Sequence, residues 1–492
     1  MSVSLRLGRE LPVYLAVVVG VVVLVLVGSV GKVAFYLEAL ERSGVVYALP
    51  LAAVVGLLVT LAYPRSSLFA LAFLLPFNFV GGVWGSSLPV LVAKMGVNLL
   101  TAAALLAALV APAAQRRWLL GTRLGLALLG WLAATIVAAI IGLLSASNPE
   151  YWIRESGWML LFLAAIPYGT LLRDRRDIVR LLWSLCAGVA LLQGYAFWTL
   201  VTGTRYERAD AWEGGATFFR APYSCVNLLA LYLAVAVFLH GSSQRRLSSR
   251  TSILLLGGIA ALGGGLLASM VRSLWLTGAI GLAAVVLRGP RDPRTAKALV
   301  GLAGGALLAL LVVAGVDRLS PSSSHNWTAG AVTFLADLGS SRSTSRVTRE
   351  IEWGHAVDVW LKSPVVGLGW GYSYPLVTYG AVTGAPVTDT FYIHNSYLNV
   401  LAKTGLFGLA AFVLVLWSTI ATANEIAGSP AATLFERNVA TACFAAMIAL
   451  ALLTSVAPVL TSGDPAAYCG MLIGIVVALR RSHLAQPAVA QR

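Results

Sequence analysis

Charged residues are scarce in this sequence: Asp, Glu, Lys and Arg make up only 11% of its 492 residues, whereas 59% are hydrophobic. A soluble globular protein needs roughly twice that share of charged residues to cover its surface. The low charge therefore excludes an ordinary soluble domain, and the excess apolar surface predicts a protein embedded in a lipid bilayer.

Cysteine is also rare, and its distribution argues against two further classes. The cysteines lie within or at the edge of apolar segments and show no paired spacing: Cys186, Cys225, Cys443 and Cys469. A disulfide-stabilised domain and a thiolate metal site both need paired cysteines. No sequence repeat of fixed period is found either.

Long apolar runs are what the sequence does contain. About fourteen of them are long enough to cross the ~30 Å hydrocarbon layer, and twelve spans is the alternative count. They centre on residues 12–29, 45–62, 67–83, 88–112, 121–145, 152–171, 179–201, 222–240, 252–271, 273–288, 297–316, 396–420, 435–457 and 464–480. The runs predict an all-α integral membrane protein.

The basic residues indicate how these spans are oriented. Lys and Arg number 35 against 20 acidic residues, and most of them fall in one set of alternate loops. Because basic residues are retained on the cytoplasmic side, these loops and both termini are predicted to be cytoplasmic. The first span is interpreted as a retained anchor. Loop 203–221, the turn at Arg272 and segment 317–395 then lie outside, and the net charge of +15 gives no reason to expect a nucleic-acid partner.

The chain divides into four parts. Residues 1–203 are predicted to form an N-terminal transmembrane bundle, and residues 204–316 add transmembrane helices with arginines at their outer ends. Residues 317–395 form one long external loop, and residues 396–492 supply the C-terminal helices and a cytoplasmic tail. Because long loops between short connections usually carry function, the external loop is where we expect the chemistry.

One helix is predicted inside this loop, from about Ser343 to Leu361 and ending before Ser363-Pro364. Its amphipathic face is formed by residues three or four positions apart, namely Arg346, Arg349, Trp353, Ala356 and Trp360. Composition alone favours a helix lying at the membrane interface, with tryptophans at the headgroups and arginines on lipid phosphates.

Two features follow the loop helix. The run Gly367-Leu368-Gly369-Trp370-Gly371 permits a tight backbone path that brings amides close to whatever binds there. His394 comes immediately before a span, at the membrane–water boundary, where an imidazole can exchange protons near neutral pH. A single histidine at such a position is more often structural.

The order and spacing of several motifs resemble those of the O-antigen ligase and polymerase family. The matching residues are Arg349-x3-Trp353, Ser363-Pro364-x2-Gly367-x-Gly369-x-Gly371, His394-Asn395-x2-Leu398-x6-Gly405, Leu267-Ala268-Ser269 with Arg272-Ser273, and Gly215-x-Thr217-Phe218 with Pro222. The resemblance covers roughly residues 205–415, and Tyr223 and Ser273 depart from the family pattern.

The resemblance implies a membrane glycosyltransferase of the bacterial inner membrane. Family members move a glycan from an undecaprenyl-diphosphate carrier to a hydroxyl at the periplasmic face, without a nucleotide sugar and without a cofactor. The acceptor is a lipid A core in a ligase or another carrier-linked glycan in a polymerase, and the sequence leaves both open. Some relatives have been described as transporters of solutes or inorganic carbon, so a carrier is the alternative function.

The resemblance also suggests roles for individual residues. His394 is the predicted general base that removes the proton of the acceptor hydroxyl, and Asp389 could orient its imidazole. Arginines would neutralise the diphosphate without a metal, because a guanidinium forms paired hydrogen bonds to phosphate oxygens. The candidates are Arg272, Arg220 and Arg349, with Arg346 and Trp353 in support.

Other charged residues receive no chemical role. Lys94 and Lys403 lie within two turns of a span end, so we expect their side chains to extend to the interface. His325 and His355 are loop residues without a motif. No pair of acidic residues stands at a spacing that suggests a metal site.

Overall fold

The computed structural model describes Val59 and residues 62–78, 88–145, 148–202, 225–301, 304, 344–376, 388–460 and 463–485, apart from positions 245, 270, 292, 294, 296 and 298. The helices of this described part, in chain order, are α1 Pro64–Asn78, α2 Leu88–Val110, α3 Ala113–Gly121, α4 Arg123–Leu144, α5 Pro149–Leu161, α6 Ala165–Leu171, α7 Arg175–Thr202, α8 Cys225–Ser243, α9 Ser249–Ala268, α10 Arg272–Arg288, α11 Thr344–Lys362, α12 Ser396–Gly428, α13 Leu434–Thr454 and α14 Gly463–Ala485. A 3₁₀ turn, Phe162–Ala164, joins α5 to α6.

Seven helices of the described part are long and apolar enough to cross a membrane: α4, α7, α8, α9, α12, α13 and α14. These helices confirm a multi-pass helical membrane protein. The predicted spans 12–29, most of 45–62 and most of 297–316 lie outside the described residues, so the count of about fourteen stays a prediction. The full extent of the loop 317–395 also stays a prediction, because residues 317–343 and 377–387 lie outside.

The loop contributes one helix and one short pairing of strands to the described structure. The predicted helix is present as α11, Thr344–Lys362. Strand β1, Tyr374–Leu376, pairs antiparallel with β2, Thr388–Thr390, and Pro375 lies opposite Asp389. The pairing brings the chain back beside its own path just before His394.

Helix α12 packs against both α4 and α13. Trp131 of α4 is fully buried, with its ring centroid 5.1 Å from that of Phe412 on α12 and 6.0 Å from that of Phe162 in the 3₁₀ turn. Large aromatic rings bury much apolar area, so this cluster fixes α12 to the N-terminal half of the described chain.

Helix α10 ends beside the last turn of α12. At the far end of α10, the Arg288 guanidinium lies beside Gly428, the last residue of α12. His394 stands just before the opposite end of α12. Since a helix rises about 1.5 Å per residue, Arg272 at the start of α10 lies about 24 Å along the helix axis from Arg288.

Candidate functional site

His394 forms a close pair with Glu352 of α11. One carboxylate oxygen, Oε2, accepts hydrogen bonds from the His394 backbone N–H at 2.9 Å and from the ring Nδ1 at 2.9 Å, while Oε1 lies 3.1 Å from Nδ1. An ionised carboxylate only accepts hydrogen bonds, so Nδ1 is the donor, and Nε2 is the nitrogen that presents a lone pair when the ring is neutral. The His394 side chain is 39% exposed and that of Glu352 only 3%.

Helix α11 holds Glu352 in place by packing its apolar face onto the protein. Glu352, Ala356 and Val359 are buried on this face. The apolar residues pack with Tyr374, Ile393 and Ala402, which lie on β1, before His394 and in α12. The interfacial interpretation of the helix is therefore incomplete, because its buried face contacts the protein.

The buried face of α11 is rotated relative to the predicted one. Of the predicted stripe, Ala356 is buried, whereas Arg349, Trp353 and Trp360 are half-buried at its flank. The Trp360 indole donates to the carbonyl of Pro364, so it closes the end of its own helix. Glu352 was not among the predicted site residues, because the predicted face runs through Arg349 and Trp353, to one side of it. Glu352 nevertheless lies four residues before the buried Ala356.

For the other predicted site residues, the structure describes either the side chain or only the backbone. Arg349 lies one helical turn before Glu352, about 4.5 Å along the axis, and its half-buried side chain interacts with other groups. For Arg272, Arg346 and Asp389 only the backbone is described: Arg272 begins α10, Arg346 lies in the first turn of α11 and Asp389 lies in β2.

Several predicted residues fall on parts of the chain that the structure does not describe. Arg220 and the Gly215–Pro222 motif lie outside the described residues. The structure thus brings His394 together with Glu352 and the helix that carries Arg349. Nδ1, which Asp389 could have oriented, is bound by Glu352.

The glycine-rich segment binds the protein's own backbone, and the prediction that its amides face a ligand is wrong. Leu368 N donates to Ala402 O at 3.1 Å and Gly369 N to Lys403 O at 2.9 Å. Trp370 N donates to Ala138 O of α4 at 3.0 Å. These bonds secure the loop between α4 and α12.

Helix α12 is broken at Gly405, and the same loop closes the break. Gly405 has φ +64°, and a Cβ there would overlap the backbone of Val365. After the break, Leu406 N donates to Pro364 O at 2.9 Å and Phe407 N to Val365 O at 3.2 Å. The backbone groups that the break releases thus find partners in the loop.

Lys403 does not extend to the interface, and that expectation is wrong. Its side chain is fully buried, and its ammonium donates both to Glu155 Oε2 of α5 and to the carbonyl of Phe391. Glu155 Oε2 also accepts from Gly371 N at 2.7 Å. Only the backbone of Lys94 is described, so the same expectation for that residue remains a prediction.

Polar contacts continue around this buried pair. The Lys403 ammonium lies 5.3 Å from the centroid of the Tyr374 ring, and the Tyr374 hydroxyl donates to Asn399 Oδ1 at 3.2 Å. Burial, with the charge of Glu155 beside it, raises the pKa of the Tyr374 phenol well above its ordinary value. Tyr374 therefore remains a hydrogen-bond donor at neutral pH.

The fold and this site define a multi-pass membrane protein with a cluster of polar side chains where the loop packs against α5, α11 and α12. Residues 257–413 match the family model described as O-antigen ligase. The match confirms the O-antigen ligase and polymerase family that the motifs predict. It includes Arg272, Glu352, His394 and Lys403 but not Glu155, and a search of curated proteins finds no match.

The match implies, in general terms, a membrane enzyme that transfers glycans and uses a lipid-linked glycan substrate. Among the described residues, no group of three or more His, Cys, Asp and Glu side chains could hold a metal ion. Residues 1–58 and 203–224 lie outside the described part of the chain, so this absence does not extend to them.

Proposed function

We propose that this protein transfers a glycan from an undecaprenyl-diphosphate carrier to an acceptor hydroxyl, with His394 as the general base. The observation that carries the proposal is the contact between Glu352 and His394 Nδ1, which leaves Nε2 as the proton acceptor of a half-exposed imidazole. A positioned base of this kind contributes about 10²–10⁴-fold to a rate.

In the proposed reaction, Nε2 takes the proton of the acceptor hydroxyl while its oxygen bonds to the anomeric carbon of the donor glycan. The bond from that carbon to the diphosphate oxygen breaks, and undecaprenyl diphosphate leaves. Attack opposite the leaving group inverts the anomeric centre in one step. Glu352 stabilises the imidazolium that forms and keeps the ring in the required tautomer.

The diphosphate would be bound by arginines, so a metal ion is not required. Arg349 lies one turn from Glu352, and Arg272, the first residue of α10, is assigned to the diphosphate from its motif. Arg220 is assigned to the same task from its motif, with Arg346 and Trp353 in support. Guanidinium groups suit this role because they carry a permanent charge and form paired hydrogen bonds with phosphate oxygens.

We place this reaction at the periplasmic face of the bacterial inner membrane, in a protein of about fourteen spans, because the basic loops are predicted to lie on the cytoplasmic side. A carrier function receives no support from the helix break at Gly405. Transporters use such breaks to expose backbone groups to an ion. Here Leu406 and Phe407 donate to residues of the loop instead.

The test is a transfer assay with the purified protein, an undecaprenyl-diphosphate glycan and two acceptors, a lipid A core and a second carrier-linked glycan. We expect His394→Ala to lower the rate by about 10²–10⁴-fold. Arg272→Ala should weaken donor use. The preferred acceptor then separates a ligase from a polymerase.

Two control variants accompany this assay. His355→Ala removes a histidine from the same loop helix, and Arg250→Ala removes an exposed arginine from the first turn of α9. Both should transfer at the rate of the unmodified protein. Transfer by His394→Ala at that rate would refute the role of the base, and solute uptake that does not depend on His394 would favour the carrier.

A further inference from the structure

The ion pair of Lys403 and Glu155 has no part in the proposed chemistry, yet it is the most deeply buried charged pair in the described residues. The two side chains are 0% and 1% exposed. Removing two charges from water costs several kcal/mol per ion, and an apolar pair of similar volume is often as stabilising. Stability alone is therefore a weak reason for this pair.

The pair contacts the chain at both ends of the β1–β2 segment. Glu155 accepts a hydrogen bond from Gly371, three residues before β1 begins. Lys403 donates to the carbonyl of Phe391, the residue after β2 ends. One ion pair thus ties the entrance and the exit of this segment to two helices, α5 and α12.

Phe391 is fixed to α5 by its side chain as well. Its ring is 5% exposed and lies 4.8 Å from the ring of Tyr151 and 5.4 Å from that of Trp158, measured between centroids. The Arg154 guanidinium lies 5.0 Å from the same ring. His394 follows Phe391 by three residues, so the position of Phe391 limits where the imidazole can lie.

We infer that Lys403 and Glu155 form a clamp that positions His394 for proton abstraction, an inference that rests on the proposed function. Glu352 sets the rotation and tautomer of the imidazole, whereas the clamp sets the backbone that carries it. Displacing a reacting group by about 1 Å can lower a rate by 10²-fold, so a buried pair can control activity without touching the substrate.

The experiment uses the full-length protein with the double substitution Glu155→Gln and Lys403→Met. This variant removes both charges, and the amide oxygen of the new glutamine can still accept from Gly371. It removes the donor to the Phe391 carbonyl. Thr404→Val is the matched control, because Thr404 is the buried neighbour of Lys403 and its hydroxyl bonds only within α12, to Val400 O.

Three quantities are measured: the melting temperature, amide hydrogen exchange of residues 391–395, and kcat and KM for the lipid-linked donor. We expect the double variant to melt close to the unmodified protein, to exchange at least about 10-fold faster in this segment and to lose at least 10-fold in kcat, with KM unchanged. Thr404→Val should leave the exchange and kcat unchanged.

A folded double variant with unchanged exchange and unchanged kcat would overturn the clamp. If the double variant does not fold, Glu155→Asp keeps both charges and withdraws the carboxylate by one methylene, and the same two results decide. If the unmodified protein transfers no glycan, the proposed function fails, while the exchange measurement still tests whether the clamp holds residues 391–395.

Discussion

Two acid–base pairs lie beside each other along the start of α12, and solvent reaches only one of them. His394 and Glu352 are 39% and 3% exposed, whereas Lys403 and Glu155 are 0% and 1% exposed. A general base must meet its substrate, so its outer nitrogen needs access. A clamp needs no access and gains strength from the low dielectric around it.

The pairs also draw their acidic partners from different parts of the chain. Glu352 comes from the loop helix and lies within the region that matches the family, residues 257–413. Glu155 comes from α5, outside that region and 248 residues before Lys403. The matched region therefore holds the proposed base, but it depends on the N-terminal helices for the geometry around that base.

The largest effect on stability is expected when one member of the buried pair, Lys403 and Glu155, is replaced. Lys403→Met leaves the Glu155 carboxylate buried without its cationic partner. Loss of one partner from a buried ion pair destabilises by about 3–5 kcal/mol. Thermal unfolding in detergent should show a large fall in melting temperature.

His394→Ala is the comparison for this variant, because the imidazole is partly exposed. It should unfold close to the unmodified protein although its transfer activity is lost. If Lys403→Met and His394→Ala had the same melting temperature, the distinction between a buried and a partly exposed pair would be contradicted.

The partly exposed pair, His394 and Glu352, is tested by Glu352→Gln. A neutral amide cannot stabilise the imidazolium and can favour the other tautomer, so kcat should fall by about 10²-fold or more. The measurement is the transfer rate at saturating donor. Glu350→Gln is the matched control, since Glu350 is an exposed residue of the same helix, and it should keep the unmodified rate.

The space around the backbone also differs between α4 and α11, and it can be tested by replacing a glycine in each helix with alanine. A Cβ on Gly142 of α4 would overlap the carbonyl oxygen of Trp370, whereas a Cβ on Gly354 of α11 would meet nothing within 4 Å. Gly142→Ala should destabilise by roughly 1–3 kcal/mol. Gly354→Ala should stabilise by about 0.5–1 kcal/mol, because alanine is the better helix former.

Opposite signs of the two melting-temperature shifts would support the contrast in packing. Equal shifts would contradict the close contact between Gly142 of α4 and Trp370 of the loop. Both variants keep all the polar partners of the two pairs, so the comparison isolates backbone packing from charge.

The helices could be predicted from the sequence because their signal is local. The run at 121–145 corresponds to Arg123–Leu144, and the pattern from Ser343 to Leu361 corresponds to Thr344–Lys362. Hydropathy and helical spacing lie within a single segment and need no partner. The helix break at Gly405 was not predicted, because the loop residues that close it are brought there only by the fold.

The site was predictable only in part, for the same reason. His394 was identified by its place in a motif. Glu352 could have been suspected, since a carboxylate four residues before Ala356 interrupts an otherwise apolar face. The interpretation of Lys403 as an interfacial lysine failed because its partner, Glu155, is distant in sequence, and only the packing of α5 on α12 brings them together.

No effect on kcat is expected from a change at the far end of the bundle from both pairs, where a capping box begins α13. The Thr433 hydroxyl accepts from Glu436 N at 3.3 Å, and Thr433 N donates to Glu436 Oε2 at 2.9 Å. Thr433→Ala should lower stability by about 1 kcal/mol and leave kcat unchanged. A fall in kcat here would mean that activity follows overall stability, and losses at Lys403 could then no longer be attributed to the position of His394.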